Sequence, residues 1–134
     1  MMKLRIITPK KVVLETEITS LTVPSADGEI TILPRHERLF SLLNEGIMTI
    51  REGKDEEDFL AIGGGYLETD GKEITILVSR AYGQSEINED LTNQAVADAN
   101  KLLAQAKDNT SRLEATAMLR RSLIDQKLLR RRKR

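Results

Sequence analysis

Residues 73–101 read EITILVSRAYGQSEINEDLTNQAVADANK, and a change of period inside this stretch decides the fold. Its first six residues, Glu73 to Val78, are mostly β-branched or aliphatic and fit a short strand. From Asn88 the residue types turn to Ala, Leu, Gln, Asp and Lys, with Leu91, Ala95, Ala99, Leu102 and Ala106 spaced by three and four. Asn88 can cap such a helix, and Glu89 and Asp90 lie where the positive end of the helix dipole favours carboxylates. A strand-forming segment therefore ends before residue 88 and a helical one begins there.

Upstream, the period stays at two. Leu4 and Ile6, then Val12 and Leu14, flank the turn Thr8-Pro9-Lys10. Ile18, Leu21 and Val23 lead through Pro24 and Ser25-Ala26-Asp27-Gly28 into a strand over residues 29–33, which Pro34 closes. Residues 46–51 and 59–62 flank a polar hairpin loop, and Thr69-Asp70-Gly71-Lys72 forms another turn. Many short strands separated by turn signals predict an antiparallel sandwich or barrel.

Downstream of the first helix, Asp108-Asn109-Thr110 breaks the pattern, and Ser111 with Glu114 has the spacing of a capping box. A second helix follows, with Leu113, Ala117, Ile124 and Leu128 on one stripe and Ala115, Leu119 and Leu123 beside it. The short link predicts an antiparallel pair. The fold class is thus α+β: an N-terminal antiparallel β-sandwich over residues 1–87, then a C-terminal antiparallel two-helix hairpin over residues 88–134. Alanine buries little area, about 1 kcal/mol against ~2 for leucine. Such a hairpin is held weakly, and an open arrangement is expected within a few kcal/mol of the closed one.

The 134 residues suffice to bury roughly two thirds of the unfolded surface, without a disulfide or metal staple. Cysteine is absent, which excludes thiol nucleophiles, zinc fingers and iron–sulfur sites. His36 is the single histidine, and the aromatic residues are Phe40, Phe59, Tyr66 and Tyr82, too few for a stacking platform that holds single-stranded nucleic acid. No run reaches the roughly 20 apolar residues of a membrane span, so the expectation is a soluble chain. The net charge of zero conceals a division. Residues 1–87 carry 10 basic and 15 acidic side chains, whereas residues 88–134 carry 11 basic and 6 acidic. The two parts are built for different surroundings.

Gly63-Gly64-Gly65 follows a strand, as a phosphate cradle would, but neither a Lys-Ser/Thr pair nor a helix follows it. The favoured reading is a bulge or close strand contact. His36, in Pro34-Arg35-His36-Glu37-Arg38, is read as ordering a loop or an interface rather than as catalytic, since no nucleophile pairs with it in sequence. The basic terminus, with Arg120, Arg121, Lys127 and the run Arg130, Arg131, Arg132, Lys133 and Arg134, admits three readings: a solvated tail, contact with nucleic acid or anionic lipid, or docking onto an acidic protein surface. The acidic β-segment weighs against nucleic acid.

The order of these features resembles the epsilon-subunit family of the F-type ATP synthase. The resemblance rests on Leu4-Arg5-Ile6-Ile7-Thr8-Pro9, on Gly28-Glu29-Ile30-Thr31-Ile32-Leu33-Pro34-Arg35-His36, on Gly46-Ile47-Met48-Thr49-Ile50, and on Gly64-Gly65-Tyr66-Leu67-Glu68 with the join to a helical hairpin. It implies a noncatalytic rotor component of the central stalk, with no catalytic, cofactor or metal residues of its own. Its β-domain would bind the gamma subunit and the ring of c subunits, with Glu29 and His36 near the ring. Its hairpin would rise toward the alpha/beta head and inhibit ATP hydrolysis through Arg120, Arg121 and residues Arg130 to Arg134. Where many members carry proline two residues after the histidine, this chain has Arg38.

Some members bind ATP through Ile/Leu-Asp-x-x-Arg-Ala at the helix entrance; here Asn88 and Leu91 replace the aspartate and arginine, so weak or absent ATP binding and no other cofactor is expected. The implied location is peripheral, at the membrane only through the complex, on the cytoplasmic face of a bacterial inner membrane or the stromal face of a thylakoid. No nucleic-acid partner is implied. The rival reading is a free-standing adaptor that puts its basic tail on nucleic acid or anionic lipid.

Overall fold

Ten strands form among the described residues, most of them from the period-two segments: β1 (Met2–Ile7), β2 (Val12–Ile18), β3 (Ser20–Ser25), β4 (Gly28–Ile32), β5 (Leu39–Leu43), β6 (Gly46–Arg51), β7 (Glu57–Ile62), β8 (Gly65–Thr69), β9 (Glu73–Val78) and β10 (Ala81–Tyr82). The computed structural model describes residues 1–54 and 56–131, in two units, Met1–Gly83 and Gln84–Arg131. Arg132, Lys133 and Arg134 of the basic run lie outside the described residues.

In the first unit the ladders join in the order β10-β7-β6-β3-β5-β8-β9-β1-β2, with β4 paired to β3. Met48 and Ile50 of β6 share one core cluster with Ile74 and Ile76 of β9 and with Leu4 and Ile6 of β1, so the sheet closes on itself as a sandwich. That core is almost wholly aliphatic. Period-two alternation supplies it: Met2, Leu4 and Ile6 point inward from β1, and Ile74, Ile76 and Val78 from β9.

Every pairing is antiparallel except β1 with β9, which runs parallel from Lys3 opposite Glu73 to Ile7 opposite Leu77. Parallel neighbours need a long crossover, and the whole chain between Ile7 and Glu73 supplies it. β5 was not among the strands expected from the sequence. The alternation also slips in phase between the consecutive buried residues Ser20 and Leu21, where the chain has left the β1 ladder for pairing with β4 and β6.

In the second unit a 3-10 turn (Gln84–Glu86) precedes α1 (Glu89–Gln105) and α2 (Asn109–Arg130). Asn88 caps α1, its side-chain oxygen accepting from the Leu91 amide at 2.9 Å. Asp108, rather than Ser111, caps α2 and accepts the Ser111 amide at 2.7 Å. The earlier carboxylate takes the orphan amide, so the helix starts three residues sooner than the Ser111–Glu114 spacing suggests. The buried seam uses small residues, Thr92 and Ala99 of α1 with Ala115 and Ser122 of α2, alongside Leu128. Leu91 and Leu102, expected on the inner face, are 69% and 47% exposed. Close approach through small side chains turns each helix so that its larger leucines point outward.

Candidate functional site

The outer face of the sandwich carries a line of apolar side chains. Leu42 of β5 stands opposite Tyr66 of β8, Tyr66 opposite Leu77 of β9, Leu77 opposite Ile7 of β1, and Ile7 opposite Val12 of β2. Residues opposite one another share a face. With strands about 4.8 Å apart, the line is roughly 19 Å long. Leu42 is 60% exposed and Val12 53%. Phe40, 62% exposed, stacks on Tyr66 with ring centroids 5.2 Å apart. Two of the chain's four aromatic rings are thus placed outside a core built of aliphatic residues. A solvated sheet face is ordinarily polar, so a continuous apolar line marks a contact surface.

Beside the line the face is charged. Lys3 and Arg5 both reach Glu15, at 3.1 and 3.2 Å, and together they hold its carboxyl below the usual range. A hollow of about 340 Å³ opens next to Phe40, lined by Arg38, Glu68, Asp70 and Glu73 among others. The Asp70 carboxylate accepts the Glu73 and Lys72 amides at 2.9 Å each. These bonds, with a smaller contribution from the Arg38 charge, keep Asp70 ionised below its ordinary range.

Glu29 is the exposed second residue of β4, opposite Pro24 beside the β3–β4 turn, where Gly28 has φ +115°. His36 lies four residues beyond the other end of that strand, partly buried, with Nδ1 2.8 Å from the Glu37 carbonyl oxygen. The two residues anticipated for one partner therefore occupy opposite ends of β4. The His36 loop is fixed to the β8–β9 turn. Arg35 donates its amide to the Gly71 carbonyl at 3.1 Å, and a side chain on Gly71 would lie 2.5 Å from the His36 carbonyl oxygen.

Arg120, Arg121, Arg130 and Arg131 are exposed on or just beyond α2. Asn88 commits its carbonyl oxygen to the helix cap, and Leu91 points outward without a donor group. Among the described residues no three His, Asp or Glu side chains gather as a metal site, and no helix is long and apolar enough to cross a membrane. Two of the three glycines, Gly63 and Gly65, are sterically required. A Cβ on Gly63 would lie 2.1 Å from Ser79 Oγ, and one on Gly65 would lie 1.9 Å from the Leu77 carbonyl oxygen.

The apolar line was missed in sequence, although it left a signal. The doublets Ile6-Ile7, Val12-Val13 and Leu42-Leu43, and the triplet Ile76-Leu77-Val78, break strict alternation, which means that both faces of those strands are apolar.

Residues 1–84 match the family model for the ATP synthase delta/epsilon chain β-sandwich domain. The chain belongs to the ATP synthase delta/epsilon family. Within it the similar proteins are epsilon chains. That of Gloeothece citriformis is 35% identical, covering 83% of this chain and 80% of its own, and that of Sulfurovum sp. is 33% identical, covering 82% and 85%. The chloroplastic epsilon chain of Pelargonium hortorum is 28% identical over 90% of each chain. The fold matches a chain of the Euglena gracilis mitochondrial ATP synthase with a TM-score of 0.85 at 21% identity, covering 96% of this chain and 81% of that one. As an epsilon chain it is a subunit of an ATP synthase, not an enzyme in its own right.

Proposed function

We propose that this epsilon chain is a rotor subunit of the central stalk, whose sandwich is seated on the gamma subunit through the line Leu42–Tyr66–Leu77–Ile7–Val12. The continuity of that line across five strands is the observation that carries the reading. Burying the exposed part of Leu42 is worth about 1–2 kcal/mol, so Leu42→Ser should weaken capture by gamma about tenfold. Full-strength capture by a Leu42→Ser, Tyr66→Ala double variant would remove gamma from this face.

Glu29 and His36 face the ring of c subunits in this reading, one at each end of β4. Their separation supports two points of contact rather than one. The hairpin regulates the head: the exposed Arg120, Arg121, Arg130 and Arg131, continued by Arg132, Lys133 and Arg134, meet acidic loops of the alpha/beta head when the hairpin opens, and inhibit ATP hydrolysis. Removing residues 88–134 should leave assembly intact and raise hydrolysis in the isolated complex. Unchanged hydrolysis would end the inhibitory reading and leave the structural one standing.

ATP binds this hairpin weakly or not at all. Asn88 already serves the helix cap, and no arginine occurs between Arg80 and Arg112 to fork a polyphosphate. A micromolar dissociation constant by calorimetry would overturn this. The subunit reaches the membrane only through its complex, on the cytoplasmic or stromal side.

A further inference from the structure

We infer that Gln84 is a clamp that pins the C-terminal end of α2 to the root of the hairpin and so sets how readily the arginine-rich end is freed. In part this rests on the regulatory reading above, but its first test does not.

The observation is a pair of long-range hydrogen bonds. The Gln84 side-chain amide donates to the Leu128 carbonyl oxygen at 2.6 Å and also to the Arg131 carbonyl oxygen. Both acceptors belong to the last turn and C-cap of α2, where backbone carbonyls have no helical amide four residues on. Leu128 is fully buried, and its carbonyl also accepts the Arg131 amide that closes the cap. A glutamine NH2 has two donors, and here both are spent on one helix end.

Helix lengths explain why that end is within reach. α2 has 22 residues and α1 has 17. In an antiparallel pair the longer helix overshoots its partner by about 7 Å at 1.5 Å per residue, which brings its last turn level with the 3-10 turn where Gln84 sits. The Gln84 carbonyl in turn accepts the Ile87 amide at 3.1 Å, so the clamp is built into the turn that launches α1. Elsewhere along the seam, small residues provide little burial, and the Gln126–Asn93 bond at 2.9 Å lies one turn further in. Leu128 anchors this last turn by burial, and Gln84 adds the side-chain hydrogen bonds that tie its carbonyls to the root of the hairpin. Because Arg130 and Arg131 belong to the clamped turn and its cap, release at Gln84 frees them first.

The test is amide hydrogen exchange on the intact purified chain. In Gln84→Ala, exchange in residues 127–131 should accelerate about tenfold, the effect of losing one to two hydrogen bonds from a local opening unit, while α1 and the strands exchange as in the parent. Gln84→Glu, which turns an acceptor toward the two carbonyls, should accelerate it at least as much. Parent-like exchange of residues 127–131 in both variants would overturn the clamp. A second arm measures ATP hydrolysis by the complex assembled with each variant. A fall in hydrolysis is expected, since a freed end reaches the head more readily. Faster exchange with unchanged hydrolysis would refute the link to regulation while leaving the clamp intact.

Discussion

Substituting Gly65 by alanine tests what the glycine run is for. The added Cβ would lie 1.9 Å from the Leu77 carbonyl oxygen and 2.7 Å from the Val78 Cα, both backbone atoms, whereas real Cβ contacts essentially never fall below 3.0 Å. One strand must therefore retreat by more than about 1 Å, and neither can do so freely. Gly65 pairs with Val78 on one side and with Leu43 on the other, so moving β8 away from β9 pushes it into β5. Overpacking of a well-filled site costs typically 1–3 kcal/mol, and a clash with paired backbone belongs at the upper end, about 3 kcal/mol. In a unit of this size each kcal/mol lowers the melting temperature by about 4–8 °C, which gives a fall of roughly 12–24 °C.

Gly64 provides the control. A Cβ there meets only the Leu43 carbonyl oxygen at 3.5 Å, an ordinary contact, so Gly64→Ala should melt within a few degrees of the parent. Thermal unfolding of the three purified chains, followed by far-UV circular dichroism, makes the comparison. If Gly65→Ala melts like the parent, or Gly64→Ala falls as far, the space argument fails. In that case a ligand-cradling role for residues 63–65 would regain its standing.

Asn88→Ala removes the acceptor of the Leu91 amide and should destabilise the hairpin by about 1 kcal/mol, seen as lower helicity in a urea titration with the β-signal unchanged; unchanged helicity would show the cap to be idle. The Ser111 amide, then the Ser111 side chain, bond the Asp108 carboxyl and hold it below its ordinary value. A group lowered by folding contributes fully above its unfolded value and loses that contribution as pH falls through the folded one. Helicity should therefore decline below about pH 4; Asp108→Asn, which keeps the acceptor and loses the charge, should flatten that acid limb, and a parent-like limb would reject the assignment. Gly71→Ala should loosen the His36 loop, because its Cβ would strike the His36 carbonyl and its φ is +91°; limited proteolysis cutting near Arg35 or Arg38 in the variant but not in the parent would register this.

Most of the architecture was legible because two periods, 2 and 3.6, divide this chain cleanly. The Thr8-Pro9-Lys10 turn, the Gly28 turn and the Asp70-Gly71 turn lie between strands where their residue types predict. β5 was illegible for a physical reason. Its outward residues, Phe40 and Leu42, are as apolar as its inward ones, Leu39 and Leu43, so no alternation marks it. The inward face of α1 was misjudged for a related one: periodicity finds a stripe of large residues, but the seam follows Ala99, Ala115 and Ser122, whose small size sets the helix separation. Of the anticipated site residues, Glu29 and His36 could be placed from sequence, one at the head of the strand over residues 29–33 and one in the loop after Pro34. The anchoring of the His36 loop on the β8–β9 turn, through Arg35 and Gly71, could not, because it depends on which distant segments meet.

An apolar line on an outer sheet face invites pairing with the wrong partner, and the surrounding charges limit that hazard. The line ends at Val12 on β2, which pairs with β1 alone and is therefore the edge of its sheet. An edge strand offers unpaired amides and carbonyls to any other strand. Here Lys10 and Lys11 precede it, and Glu15 and Glu17 alternate along it, with Glu15 held by Lys3 and Arg5. A second copy approaching in strand register would bring like charges into opposition, which disfavours the contact. Addition at the edge is thus discouraged by charge, whereas docking onto the face is favoured by the exposed leucine and aromatic side chains. The two properties together select a partner that covers the sheet rather than one that extends it, which is the geometry of the seat on gamma proposed above.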